Sequence, residues 1–116
     1  MKKMNHDIKN EWVTALRSDK YRQIQGQLRD NLKGKHVGYC CLGVLCEITK
    51  QETDGEWDQY NSVCFKIGNK SEGYTPPRKV LNHAGLTEAH VETLIGMNDD
   101  AKCTFKQIAN FIDNNL

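Results

Sequence analysis

The chain has 116 residues, 38% of them hydrophobic, and a formal net charge of +1. That length supports one modest core, so residues 1–116 are expected to form a single domain, and the charge balance argues against a generic duplex-DNA binder or a polybasic membrane clamp. No apolar run approaches the roughly 20 residues that a membrane-spanning helix needs, and Met1-Lys2-Lys3 leads into polar residues, so the expected setting is a reducing cytoplasm.

Ile8, Trp12, Ala15 and Leu16 recur at the spacing of one apolar helix face. Asn5 is a fitting N-cap and Ser18-Asp19 a stop, which predicts a first helix over about 6–18 with Trp12 as its core anchor. From Tyr21 to Val37 the pattern thins. Ile24, Leu28 and Leu32 form a narrow row, while Gly26, Asp30-Asn31 and Gly34 punctuate it. The expectation is a turn, then a short helix or an extended piece, then a loop through Gly34-Lys35-His36. Arg17, Lys20, Arg22, Arg29, Lys33 and Lys35 make this the basic part of the chain, against Asp19 and Asp30.

Tyr39-Cys40-Cys41-Leu42-Gly43-Val44-Leu45-Cys46-Glu47-Ile48 is the one long apolar run in a hydrophilic chain. It predicts a buried helix over about 39–50, with Gly43 admitting a close neighbour. The polar stretch 51–58 contains the turn signal Asp54-Gly55. Val63, Phe65 and Ile67 alternate with Cys64 and Lys66, as in a half-buried strand over 62–67, and residues 57–60 begin its partner or lead into it. Residues 68–73 read as a loop. Pro76-Pro77 open a short helix over 78–83 that Gly85 closes, and Thr87 caps another over 88–96. Residues 97–100 read as a turn, and Thr104 caps a last helix with the stripe Phe105, Ile108, Ala109 and Ile112. The expected fold is α+β and mostly helical. The buried helix at 39–50 is packed by N- and C-terminal helices, beside a small antiparallel piece near 57–67.

Five cysteines raise the question of chemistry. A structural zinc site needs four soft ligands, usually announced by a C-x₂₋₄-C knuckle. Cys40 and Cys41 are adjacent, and neighbours on a helix point about 100° apart, which serves chelation poorly. Cys46 follows five residues later, and Cys64, Cys103, His36, His83 or His90 would have to complete a site from afar, so packing is the preferred role for these thiols. A nucleophilic thiol needs a base and an electropositive or helix-N-terminal setting; Cys40, with His36 upstream, is the candidate. Asp99-Asp100 suits a cation or acid–base work, yet the same composition is ordinary between two helices. No glycine-rich phosphate loop or Ser/His/Asp arrangement is visible. Arg17, Tyr21, Arg22, Gln23, Gln25, Gln27 and Arg29 form a more informative set. Guanidinium donors, amides and a ring in a short span suit a small anion, a nucleotide or an acidic protein surface, with a solvated face as the plain alternative.

Trp12-Val13-x-Ala15-Leu16-Arg17-Ser18, Lys20-Tyr21-x-Gln23, Leu28-Arg29, the block Tyr39–Cys46, Met97-Asn98-Asp99 and Phe105-x-x-Ile108-Ala109-x-x-Ile112 together resemble a family of small uncharacterised bacteriophage and prophage proteins. The family pattern has Leu where this chain has Met97. The resemblance implies an accessory protein active in the cytoplasm of an infected bacterium, and it marks Arg17, Ser18, Tyr21, Gln23, Arg29, Tyr39, Asn98 and Asp99 as shared polar positions.

The expected function is therefore a phage-encoded binding protein that blocks or sequesters a host defence or regulatory component. Its candidate ligand-binding residues are Arg17, Tyr21, Arg22, Gln23, Arg29, Tyr39, Asn98 and Asp99, and its ligand a nucleotide-like anion or a host protein. No cofactor or metal, duplex nucleic acid or membrane is called for, and homo-oligomerisation stays open. The alternatives are a small enzyme using Cys40 or Asp99, and a metal-stabilised protein-interaction module.

Overall fold

Asn5 Oδ1 accepts the N–H groups of Asp7 and Ile8 at 3.0 and 3.1 Å, satisfying donors that the first helical turn leaves open. Helix α1 follows over His6–Arg17 and buries Ile8, Trp12, Val13 and Leu16 on one face. The computed structural model describes residues 3–32, 36–61 and 63–116. The fold is α+β and mostly helical, as the periodicity predicts.

The segment after α1 is extended. Strands β1 (Arg22–Gln23), β2 (Arg29–Leu32) and β3 (His36–Tyr39) form a sheet of order β1-β3-β2, with β1 parallel and β2 antiparallel to β3. The short-helix alternative for this region is thus incorrect. Gly26 takes φ +87, a left-handed conformation that turns the chain between β1 and β2, where an Ile24–Leu28–Leu32 helix row would have to run straight through. His36 opens β3 and is not part of a loop, while Gly34 and Lys35 lie outside the described residues.

The thiol-rich helix α2 spans Cys41–Thr49, beginning two residues later than expected because Tyr39 belongs to β3 and Cys40 is the N-cap. Cys40 Sγ accepts the Gly43 N–H at 3.3 Å. Every residue from Cys41 to Cys46 is buried. Gly43 is required by close approach: a Cβ there would fall on the carbonyl of Leu28. Leu28 is a junction, donating its N–H to Gly73 O at 2.8 Å and accepting the Cys40 N–H at 3.1 Å.

A second sheet has order β4-β5-β6, all antiparallel, from Gly55–Trp57, Phe65–Ile67 and Lys70–Glu72. The loop expected at 68–73 is in fact a hairpin turn followed by β6. All three residues of β6 are exposed, so no alternation marks it in the sequence. Ser62, the expected start of the strand, lies outside the described residues.

Helix α3 (Arg78–Ala84) ends on Gly85, whose φ of 79° suits a residue without a Cβ. Helix α4 (Glu88–Ile95) is held by a capping box of Thr87 and His90. A π-helical turn, Gly96–Asp100, continues α4 where a simple turn was expected. Helix α5 (Phe105–Asn115), boxed by Thr104 and Gln107, lies along α1. Helices α1, α3 and α4 pack on α2, and fully buried Trp12 ties α1 to it by donating its indole N–H to Cys41 O at 2.9 Å. Among the described residues, no helix is long and apolar enough to cross a membrane.

Candidate functional site

Residues paired across a sheet point to the same face. Gln23 pairs with Tyr39, and Tyr39 with Arg29, so the first sheet carries these three side chains on one side. Arg22, Gly38 and Asp30 take the other, where Ile24 covers Gly38. Two of the eight sequence candidates, Gln23 and Arg22, are therefore separated by strand alternation alone.

Three candidates form an internal polar lock. Asn98, only 1% exposed, donates through Nδ2 to Ile24 O at 2.8 Å and to Asp99 Oδ1 at 2.9 Å. Its Oδ1 accepts from Gln23 Nε2 at 2.9 Å and from the Cys41 N–H at 3.3 Å. Gln23 Nε2 also donates to Cys103 O at 2.8 Å, and Asp99 Oδ1 accepts the Gly26 N–H at 3.0 Å. The π-helical turn is thereby bound to β1, to the Gly26 turn and to the first residue of α2. Asn98 and Asp99 hold the scaffold, and their polar atoms are largely committed to it.

Beside the lock runs a row of rings. Tyr21 meets Tyr39 edge-on with centroids 5.3 Å apart, Tyr39 lies 5.9 Å from Trp57, and Trp57 meets buried Phe65 at 5.0 Å. The Arg29 guanidinium sits 4.8 Å above the Trp57 ring, a cation–π contact. Its Nε is buried without a hydrogen-bond partner, and among the described residues Arg29 has no ion pair. Trp57 in turn donates Nε1–H to Glu47 Oε1 at 2.9 Å, and Glu47 pairs with Lys50 at 2.8 Å. Burial first, and the Glu47 carboxylate second, push both Tyr21 and Tyr39 above the ordinary phenol value; Lys50 and Arg29 respectively pull the other way.

Arg17 stands apart from this face. It donates to Asn110 Oδ1 at 2.7 Å and lies 3.7 Å from Asp113, fastening α1 to α5. Trp57, Glu47 and Lys50 are part of the ring face although none was singled out in the sequence. Trp57 sits in the polar run Gly55-Glu56-Trp57-Asp58, and only its pairing opposite Phe65 brings it to Tyr39.

The thiols are interior. Cys40, Cys41 and Cys46 are buried, and Cys64 and Cys103 partly so, all five unbridged. Burial pushes the Cys40 thiol up to about 11, and Cys41 and Cys46 are raised strongly by the same cause. Such groups are poor nucleophiles at neutral pH. Among the described residues, no three His, Cys, Asp or Glu side chains gather to hold a metal ion.

Two concavities stand out among the described residues, one of them bordered by Tyr21. A recess of about 320 Å³ is lined by Leu16, Asp19, Tyr21, Gln23, Thr104, Phe105 and Lys106. A groove of about 380 Å³ lies between β6, α3 and α4, with Pro76, Pro77, Leu81 and Val91 among its lining and the Arg78–Glu88 pair, 2.8 Å long, at its rim. Of the sequence candidates only Tyr21 and Gln23 line either one.

The chain belongs to the family described as a domain of unknown function (DUF8296), whose profile matches residues 4–116. No curated protein and no solved structure matches the chain.

Proposed function

We propose that this DUF8296 member is a non-catalytic accessory binding protein of phage or prophage origin. It acts in the cytoplasm of the infected bacterium, where it sequesters a nucleotide-like anionic signal of host defence or regulation. The observation that carries the reading is Arg29. Its guanidinium is stacked 4.8 Å over Trp57 and has no ion pair among the described residues, on the sheet face that also carries Tyr39. A guanidinium placed over a ring keeps N–H donors for a phosphate or carboxylate, and adjoining rings offer stacking faces. The raised thiols favour binding over a Cys40 mechanism. Phage origin rests on the sequence resemblance.

Isothermal calorimetry against 5′-nucleotides, cyclic nucleotides and ADP-ribose tests this directly. Saturable binding that Arg29→Met weakens at least about tenfold, a difference of about 1.4 kcal/mol, is the expected result. A flat titration across the whole panel contradicts it. Capture of a host protein is the second reading, favoured by Tyr60 and Tyr74, which are 88% and 53% exposed and of a type enriched at interface hot spots.

A further inference from the structure

The recess beside Tyr21 has chemistry more specific than an anion site. It lies between the end of α1, strand β1 and the start of α5, floored by Leu16 and Phe105, both buried. Two apolar side chains and one half-buried ring give it an apolar floor, with Asp19, Gln23, Thr104 and Lys106 as its polar lining. Its volume of about 320 Å³ is at the small end of ligand sites, enough for one heterocycle and its sugar.

Gln23 is the polar group whose orientation is fixed. Its Nε2 donates to both Asn98 Oδ1 and Cys103 O. The direction of the amide is not interchangeable, because Cys103 O can only accept, and because Asn98 Nδ2 is itself committed to Ile24 O and the Asp99 carboxylate. Flipping Gln23 would set oxygen against two acceptors. Its Oε1, which no donor reaches among the described residues, is therefore an acceptor held in place by a buried network. Tyr21 supplies a ring face, itself fixed edge-on by Tyr39 at 5.3 Å. The rim carries Lys106, paired with Asp19 at 3.7 Å, and nearby Lys20, 5.8 Å from the Tyr21 centroid, so two cations stand against one carboxylate and leave one net positive charge for a phosphate.

We infer that this recess is a nucleobase site selecting bases with an exocyclic amino group, with Tyr21 as the stacking face and Gln23 Oε1 as the acceptor. The inference rests on the nucleotide reading above and deepens it, setting the base against Tyr21 at one end of the ring row whose next members, Tyr39 and Trp57, lie with Arg29. A base carrying a carbonyl or a hydrogen at that position leaves Gln23 Oε1 opposed or unpaired, and a site built for a hydrogen bond rejects such analogues.

The test uses the full chain and three probes: AMP, IMP and purine ribonucleoside 5′-monophosphate, which differ at one substituent. AMP is expected to bind at least about tenfold more tightly than either of the others. Tyr21→Leu is expected to weaken AMP about tenfold while leaving the thermal midpoint near that of the wild type. Lys106→Glu, at an exposed position, is expected to weaken AMP more than adenosine. Equal affinity for the three probes overturns amino selection yet leaves nucleotide binding standing. Amide shifts confined to the groove at 70–92 overturn the location. Failure of every nucleotide to bind overturns both readings.

Discussion

Gln23 and Asn98 join side chain to side chain at 2.9 Å although 75 residues separate them in the chain. That bond does two things at once. It closes the lock that fastens the π-helical turn to β1, and it aims the remaining oxygen of Gln23. A substitution at Asn98 therefore tests stability and recognition together. Asn98→Ala strands the Cys41 N–H, the Ile24 carbonyl and the Gln23 amide inside the protein, and a loss on the order of 3 kcal/mol in urea unfolding is expected. Asn98→Asp is expected to be worse at neutral pH, because it sets a second carboxylate against Asp99 and the Ile24 carbonyl. A change within about 0.5 kcal/mol for either variant would show that the lock contributes nothing.

Gly43→Ala carries a second prediction. The new methyl would fall on the Leu28 carbonyl, which is backbone and bonded to Cys40. Helix propensity alone would make Gly→Ala in a helix stabilising by about 1 kcal/mol, so the sign of the result separates the two effects. Destabilisation of about 2–4 kcal/mol is expected by chemical denaturation. A gain in stability would mean that α2 does not press on Leu28.

The buried thiols predict a pH dependence. Folding raises the Cys40 value from its ordinary 9.0 to about 11, and Cys41 and Cys46 are raised in the same direction. Below the unfolded value both states keep their thiol protons, so stability is fully present. Above it the unfolded chain releases protons that the folded chain retains, and stability falls as pH rises, by about 1.4 kcal/mol per pH unit for each thiol. The fall should begin near pH 9 and run toward 11, with Tyr21 and Tyr39 adding to it at the upper end. Cys40→Ser, which keeps an N-cap acceptor for Gly43, should show a shallower slope. Unfolding midpoints from pH 7 to 10.5 give the measurement, and identical slopes for the two proteins would contradict it. In the same preparation, a disulfide reagent at pH 7.5 should label Cys64 and Cys103 and leave Cys40, Cys41 and Cys46 until unfolding. Rapid native labelling of Cys40 would favour the enzyme alternative.

The helices were legible because their signals are local. Asn5, Thr87 and Thr104 cap where their side chains can reach N–H groups two or three residues on, and Gly85 takes the left-handed turn that ends α3. The strands between Tyr21 and Tyr39 were only half legible, as an extended piece set against a short helix, since each has two to four residues and Gly26 and the polar Asp30-Asn31 break the alternation a longer strand would show. Strand β6 has no buried position to betray it. Asn-Asp-Asp is ordinary turn composition, and nothing local to Asn98 announces that it is buried. Its burial follows from Gln23, Ile24 and Cys41 arriving from elsewhere. Of the candidate residues, the fold brings Tyr21, Gln23, Arg29 and Tyr39 together as neighbours. Arg17 is close to them in sequence and shared in the family pattern, yet its side chain turns toward Asn110 and Asp113 on α5.

On the reading proposed above, Cys40, Cys41 and Cys46 fill the interior while recognition belongs to the ring-and-guanidinium face beside them. The most direct measurement is a ¹H–¹⁵N titration of the full chain with AMP, following the indole N–H groups of Trp57 and Trp12 and the side-chain amide of Gln23. The expected result is a saturable shift of Gln23, which lines the recess, and of Trp57, which is joined to it through the Tyr21–Tyr39–Trp57 ring row, with Trp12 unmoved because it is wholly buried and bonded to Cys41. Shifts at Cys40–Cys46 and Trp12 without change at Trp57, or no shifts at all, would contradict the claim.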